Sequence, residues 1–228
     1  MNLLAIDTAA SLCAACLLDT ETDRELGRAA VDLGKGHAEH LMGVIDAALD
    51  TAGLAYGDLH MVAVCVGPGS FTGVRVGVAA ARGLALALKI PAVGVSSLEA
   101  LAAAARRDHP DEEILVLLDA GRGGIYAARY DAAGEESQPP ALVTLAEAAS
   151  MAGEGVAVLA GSGADAVLAA AGGIERKIVS RAATADIGYY ARLAAQRGLP
   201  GRPPSPLYLR GADAKPQTGF ALPRKDAP

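Results

Sequence analysis

A glycine-rich run is the segment of this 228-residue chain whose composition most strongly suggests chemistry: Gly67-Pro-Gly-Ser-Phe-Thr-Gly-Val-Arg-Val-Gly77. A glycine-rich turn that leads into a helix presents free backbone N–H groups to an anion. However, no Gly-Lys-Ser/Thr follows, as a Walker loop requires, and the third glycine comes one residue too late for the dinucleotide fingerprint. Gly69, Gly73, Gly77 and Ala81 instead recur every four residues. This spacing predicts a helix face almost without side chains, which another helix can approach closely.

Two pairs of residues have spacings that metal sites use. His37 and His40 are three apart on a predicted helix, share one face, and could hold two corners of a metal site. No further cluster of His, Asp or Glu with ligand spacing accompanies them, so we favour an interface or surface position. Cys13 and Cys16 form a C-x-x-C. They lie on a predicted strand, where residues three apart point to opposite faces, and we therefore expect them to be core residues.

The composition limits the classes of function. Hydrophobic residues make up 52% of the chain but aromatic residues only 4%, so the core must consist of small aliphatic side chains. A net charge of −6 argues against a broad surface that binds nucleic acid. No apolar stretch is expected to reach the roughly 18 to 20 residues that cross a bilayer, and the N-terminal residues do not resemble a signal peptide. We expect a cytoplasmic protein.

The elements that would position these residues alternate between strands and helices. Apolar residues at helical spacing predict a helix from His37 to Ala52, and the glycine-rich run opens a second helix that ends near Lys89. The second helix is apolar nearly all round, which is typical of a helix buried on more than one side. A charged stretch with Pro110 predicts a division into lobes 1–106 and 107–228, with the last segments able to pack back on the first lobe. In the second lobe, residues 134–140 are expected to form a loop, and a last helix, capped by Thr184, is expected to run to Gly198.

Both lobes begin with a strand that ends in Asp and continues into a turn of small residues, Asp7-Thr-Ala-Ala and Asp119-Ala-Gly. This repeat resembles the duplicated fold of actin, sugar kinases and heat-shock chaperones. It implies an α/β protein of two actin-like, ribonuclease-H-like lobes, each a mixed sheet with flanking helices. By that resemblance Asp7, Thr8 and Asp119 would mark a vestigial site for phosphate or metal. The turn after Thr8 contains alanines whose Cβ atoms would crowd a phosphate, so we favour an Asp7 that hydrogen-bonds Thr8 or turn amides.

A set of motifs in order along nearly the whole chain resembles the TsaB family, also called YeaZ. The motifs are Asp7-Thr8, a helix that opens with His37, the run from Gly67 to Gly77, Asp119-Ala-Gly-Arg-Gly-Gly-Ile-Tyr126 and Pro206-Leu-Tyr-Leu-Arg210. The resemblance implies a role in forming threonylcarbamoyladenosine next to the anticodon of tRNAs that read codons beginning with adenine. Family members are catalytically silent relatives of TsaD, the subunit that transfers the threonylcarbamoyl group.

The resemblance also implies partners. It implies a non-catalytic scaffolding subunit without a cofactor of its own, which binds and stabilises a TsaD-like catalytic subunit and is joined by a TsaE-like ATPase. ATP, ADP or magnesium could bind at the junction with the partner, tRNA would be held through the complex, and the isolated chain could form a homodimer. The partner surface would lie on helices 37–52 and 71–89. The residues expected there are His37, Leu41, Val44, Ile45, Gly69, Gly73, Val76, Gly77 and Ala80.

The alternative function is an ATP-dependent small-molecule phosphotransferase of actin-like fold, in which Asp7 and Asp119 bind magnesium. It predicts ATP hydrolysis by the isolated chain, lost in Asp7→Asn. A peptidase finds no support, because neither a Ser/His/Asp order nor an H-E-x-x-H motif occurs in the sequence.

Overall fold

The structure is a computed structural model that describes residues 1–153, 155, 158–198 and 201–210. The C-terminal tail from Gln217 to Pro228, whose course the sequence did not indicate, lies outside the described residues.

The first half of the chain forms a five-stranded sheet covered by helices. Its elements are β1 Asn2–Asp7, β2 Leu12–Asp19, β3 Arg24–Asp32, α1 His37–Ala52, β4 Leu59–Cys65, α2 Phe71–Leu88, β5 Ala92–Val95 and α3 Ser97–Arg106, with a 3-10 turn at Tyr56–Asp58. The strand order is β3-β2-β1-β4-β5. β1 pairs antiparallel with β2 and parallel with β4. β1, β2 and β4 are almost wholly buried apolar runs, as expected for strands covered on both faces.

The second half repeats this arrangement. Its elements are β6 Ile114–Asp119, β7 Gly124–Tyr130, β8 Glu136–Thr144, α4 Leu145–Gly153, β9 Val158–Ala160, α5 Ala164–Ala170, β10 Lys177–Ser180 and α6 Ile187–Arg197. The strand order is β10-β9-β6-β7-β8, and β6 pairs antiparallel with β7 and parallel with β9. β6 to β10 therefore occupy the places of β1 to β5, and Asp7 and Asp119 end corresponding strands. The predicted pair of related α/β lobes is confirmed.

Each sheet is covered in part by a helix from the other half of the chain. α3 packs on β6, β7, β9 and β10, whereas α6 packs on β1, β2, β4 and β5. The side chains of Tyr190, Ala191 and Ala194 on α6 are wholly buried, and one continuous core contains residues of both sheets. The predicted division near residue 106 falls between α3 and β6 and stays a prediction, since packing across the two halves ties them together.

Two local predictions were wrong. Residues 134–140 were expected to form a loop, but most of them, including Pro139 and Pro140, belong to β8. β8 lies at the edge of its sheet, where the missing N–H of proline is tolerated. Thr184 was expected to cap the last helix, but the carboxylate of Asp186 caps α6 and accepts a hydrogen bond from the Gly188 N–H at 2.9 Å. The Thr184 hydroxyl has other partners.

α2 also departs from expectation in its length and apolarity. Its 18 residues have a mean hydropathy of 1.4, and by length and composition alone it could cross a bilayer. The expectation that no stretch reaches this threshold was therefore wrong. In the structure α2 packs on β4, β1 and β5, and 33% of its residues are buried. A helix on the core of a globular protein satisfies the same criteria.

Candidate functional site

Asp7 is the centre of a buried polar cluster between the first sheet and the segment that leads into α6. Its side chain is only 1% exposed. Oδ1 accepts a hydrogen bond from the Ala9 N–H at 2.8 Å, and Oδ2 accepts one from the Thr184 hydroxyl. The Thr184 Oγ1 lies 2.7 Å from the hydroxyl of Tyr190. Both carboxylate oxygens are thus occupied by donors of the same chain, and the prediction that Asp7 bonds a turn amide is confirmed.

The electrostatics of this cluster favour neutral side chains. Burial raises the pKa of Asp7, because the carboxylate loses its hydration; the hydrogen bonds from Thr184 and Ala9 act in the opposite direction. Burial and the nearby Asp7 charge hold the pKa values of the Cys65 thiol and the Tyr190 phenol well above their ordinary values. Since the thiolate is the reactive form of cysteine, Cys65 lacks the environment of a nucleophile.

Thr8 and Asp119 also have partners within the chain. Thr8 is 1% exposed, and its hydroxyl donates a hydrogen bond to the Gly73 carbonyl oxygen at 2.7 Å. Asp119 is exposed, and its Oδ1 accepts a hydrogen bond from the Gly121 N–H at 2.8 Å. Asp7, Thr8 and Asp119 each hold a turn or a helix in place. The vestigial phosphate or metal site stays a prediction, and these contacts do not favour it.

The ladder of small residues on α2 faces the inside of the protein. A Cβ atom on Gly77 would lie 2.5 Å from the Thr8 Oγ1, and Cβ atoms on Gly69 and Gly73 would come still closer to the carbonyl oxygens of Ala9 and Thr8. Real Cβ contacts are essentially never shorter than 3.0 Å. The glycines therefore allow α2 to approach the turn after β1, and the expectation that this ladder contacts a second helix was wrong.

The residues of α1 expected at a partner surface are core residues. His37, Leu41, Val44 and Ile45 are each at most 6% exposed, and α1 packs on β2 and β3. In this conformation a side chain buried in its own chain does not line an outer surface. A partner surface on α1 would have to use other residues of the helix, such as Met42, which is 45% exposed.

The candidate metal-binding residues are not brought together. His37 is buried, and its Nε2 has no hydrogen-bond partner in the part of the chain that the structure describes, whereas His40 is exposed. Among the described residues there is no group of three or more His, Cys, Asp or Glu side chains that could hold a metal ion. Cys13 and Cys16 are wholly buried, as predicted. Burial raises the pKa of Cys13 to about 11 and that of Cys16 to about 12.

The face of α2 that remains open to solvent carries a second row of residues, which are small or apolar except for one threonine. We call this row the α2 stripe; it consists of Thr72, Val76, Ala79, Gly83 and Leu86. Their spacing of four, three, four and three residues places them on one side of the helix. Leu86 is 81% exposed, and a Cβ on Gly83 would meet nothing within 4 Å. Of the expected partner residues only Val76 belongs to this stripe; Ala80, also half-buried, borders it.

An aromatic pair encloses an arginine at the N-terminal end of this stripe. Phe71 and Tyr208 are 61% and 55% exposed, and their ring centroids are 6.1 Å apart. The guanidinium carbon of Arg75 lies 3.6 Å from the centroid of the Phe71 ring, and its Nε donates a hydrogen bond to the Tyr208 hydroxyl at 2.8 Å. We call these three residues the Phe71 cluster. The Phe71 cluster was not predicted from the sequence, because nothing in the spacing of the motifs around Arg75 and Tyr208 brings these motifs together.

Tyr208 is held in the Phe71 cluster by a segment that bridges the two halves of the chain. The Leu207 N–H donates a hydrogen bond to the Val66 carbonyl oxygen at 2.8 Å, just beyond β4. An Nη2 donor of Arg210 binds the Ala120 carbonyl oxygen at 3.0 Å, just beyond β6. The segment thus runs past the carboxyl end of β4 in the first sheet and past that of β6 in the second.

Comparisons with known proteins identify relatives over as much as 94% of the chain. The profile of the TsaD family, described as tRNA N6-adenosine threonylcarbamoyltransferase, matches residues 31–186. The TsaB protein of Escherichia coli K12, named a tRNA threonylcarbamoyladenosine biosynthesis protein, is 37% identical over 131 residues. That match covers 57% of this chain and 55% of the relative, so it spans about half the length of this curated relative. An uncharacterized protein of Mycobacterium tuberculosis H37Rv is 36% identical over 94% of both chains.

Solved structures agree with these relatives. A Pseudomonas aeruginosa protein described as similar to peptidase YeaZ has a TM-score of 0.77 and 28% identity, and the match covers 92% of this chain and 99% of that one. A polyphosphate/ATP-glucomannokinase from Arthrobacter has a TM-score of 0.50 at 16% identity, which shows a shared fold alone. The predicted actin-like fold class is confirmed.

Proposed function

Since the chain belongs to the TsaB family within the TsaD-related proteins, we propose that it is a non-catalytic scaffolding subunit in the synthesis of threonylcarbamoyladenosine on tRNA. In this role it binds and stabilises a TsaD-like catalytic subunit. The curated TsaB relatives are named for threonylcarbamoyladenosine synthesis on tRNA, and we assign this chain to the same pathway. A cytoplasmic location accompanies this role.

The α2 stripe is the observation that carries this proposal. Leu86 is 81% exposed and continues a row of exposed or half-buried small residues, and contiguous exposed apolar patches commonly mark sites of protein association. The small side chains of Ala79 and Gly83 allow another backbone to approach closely. The spacing of three and four residues fits a row of side chains on a second helix.

The hydrogen bonds within the Asp7 cluster support a subunit that has no catalytic activity of its own. A phosphotransferase of this fold would need a free Asp7 carboxylate to bind magnesium, but both oxygens of Asp7 accept hydrogen bonds from the chain itself. The contrast with the phosphotransferase alternative is measurable: the isolated chain is expected to hydrolyse ATP no faster than its Asp7→Asn variant.

The remaining partners follow from the same role. A TsaE-like ATPase joins the complex, tRNA is bound through the complex, and ATP or ADP with magnesium binds at the junction with the partner rather than to this chain alone. In the absence of its partner the chain forms a homodimer through the same apolar surface.

Substitution of Gly83 tests the proposal. Because a side chain at this position meets only open space, Gly83→Arg leaves the fold intact and places a long charged side chain in the middle of the α2 stripe. We expect the affinity for the TsaD-like subunit of the same bacterium, measured by titration calorimetry, to fall at least 100-fold. The matched control is Ala166→Arg, on the exposed side of α5 in the second half of the chain. Equal affinity of wild type, Gly83→Arg and Ala166→Arg would refute the α2 stripe as the partner surface.

A further inference from the structure

We infer that the Phe71 cluster is an anchor point for the protein partner, and that it receives a carboxylate-bearing segment of that partner. The inference rests on the proposed function, and it adds the C-terminal segment around Tyr208 to a surface otherwise formed by helices. Phe71 and Arg75 lie next to the stripe residues Thr72 and Val76 along α2, so the cluster continues the α2 stripe at its N-terminal end.

The chemistry of the Phe71 cluster is that of an interface anchor. Tyrosine and arginine are enriched among the residues that dominate binding energies, and two of the three side chains here are aromatic and more than half exposed. Stacking on Phe71 and the hydrogen bond to Tyr208 fix the arginine before a partner arrives. Binding therefore costs less side-chain entropy than it would for a free arginine.

The unused donors of Arg75 indicate what the partner carries. Its Nε is engaged by Tyr208, but in the described part of the chain its two Nη groups have no hydrogen-bond partner. A planar guanidinium with free Nη donors fits a carboxylate. Arg82 and Lys89 follow at seven-residue intervals and are exposed, so three cations form a row along one side of the α2 stripe. In a chain of net charge −6, such a row is complementary to acidic side chains on the partner.

The test measures the affinity for the TsaD-like subunit at two salt concentrations. We expect Arg75→Ala to weaken binding about tenfold or more at low salt, as for other interface anchors, and Tyr208→Phe to weaken it about threefold because only the hydroxyl is lost. We also expect salt to weaken the binding of wild type more than that of Arg75→Ala, since a charge pair is screened. A side chain that only stabilises the fold would not change the salt dependence. Arg181→Ala, which removes an exposed arginine paired with Asp165, is the matched control.

The possible results separate the two proposals. If Gly83→Arg abolishes binding while Arg75→Ala and Tyr208→Phe bind like the control, the inference is overturned and the proposed function stands. If wild type binds no TsaD-like subunit, both are overturned. If the cluster variants keep their affinity for the subunit but weaken tRNA binding by the assembled complex, the cluster is a surface for RNA and the inference is again overturned.

Discussion

Two glycines on α2 provide a matched test of how closely this helix approaches the first sheet. Gly73→Ala and Gly83→Ala are the same substitution, ten residues apart in one helix. At Gly73 the added methyl group would collide with the Thr8 carbonyl oxygen, whereas at Gly83 it would meet nothing within 4 Å. The two variants should therefore change stability in opposite directions.

The size of each effect follows from the contacts. To accept an alanine at position 73, α2 must move away from the turn after β1, which overpacks or distorts the core at a cost of about 1–3 kcal/mol. The same movement breaks the buried hydrogen bond from Thr8 to Gly73. Leaving that pair unsatisfied costs about 1–3 kcal/mol more. Gly83→Ala instead gains about 0.5–1 kcal/mol, because alanine loses less backbone entropy in a helix.

The measurement is urea unfolding followed by circular dichroism for wild type and both variants. We expect a difference of roughly 2.5–7 kcal/mol between the two variants, a large part of the typical stability of a domain. If Gly73→Ala unfolds within about 0.5 kcal/mol of wild type, the close approach of α2 to the Thr8 turn does not exist in solution. If the free energy of unfolding of Gly73→Ala equals that of wild type, Gly69, Gly73 and Gly77 could lie on the outer surface of α2.

Three further predictions concern the buried cluster and the exchanged helices. Thr184→Val removes the donor to Asp7, and should lower the free energy of unfolding by about 1–3 kcal/mol in urea at neutral pH; no change would contradict the buried bond. Burial raises the pKa of Asp7 above its ordinary 3.8, so the folded state keeps a proton that the unfolded chain releases, and wild type loses stability as pH rises above about 4. Asp7→Asn should lack this loss, and parallel pH profiles of unfolding for the two proteins would refute the assignment. A fragment of residues 1–110 lacks α6 and should show no cooperative thermal transition by circular dichroism; a sigmoidal melt would show that the first half folds alone.

Much of the fold could be predicted from the sequence, because its strongest signals are local. Apolar residues at helical spacing, such as Leu41, Val44 and Ile45, predicted a helix from His37 to Ala52, which are the observed bounds of α1. The repeat of a strand, an Asp and a turn of small residues predicted two related lobes. β8 was missed because prolines are read as loop signals unless the strand is known to lie at an edge, and edge positions depend on the tertiary structure.

The candidate site was harder to predict, because a helix has two sides and the sequence does not say which one meets its own sheet. A ladder of glycines indicates close approach, but Gly73 and Gly77 approach Thr8 rather than a second protein. Gly83 and Leu86 lie on the solvent-exposed face of α2, and their residue types do not distinguish them from core residues. The pairing of Arg75 with Tyr208 joins positions 133 residues apart, which no local pattern encodes.

The exchange of α3 and α6 between the sheets also bears on how the chain is made. During synthesis the first sheet is complete once β5 has left the ribosome, but the face that α6 covers stays open until about 100 more residues have emerged. At ordinary elongation rates this interval lasts on the order of 5–20 s. The nascent chain therefore exposes an apolar sheet face throughout that time, and a chaperone or an early partner has an opportunity to bind it before the last helix arrives.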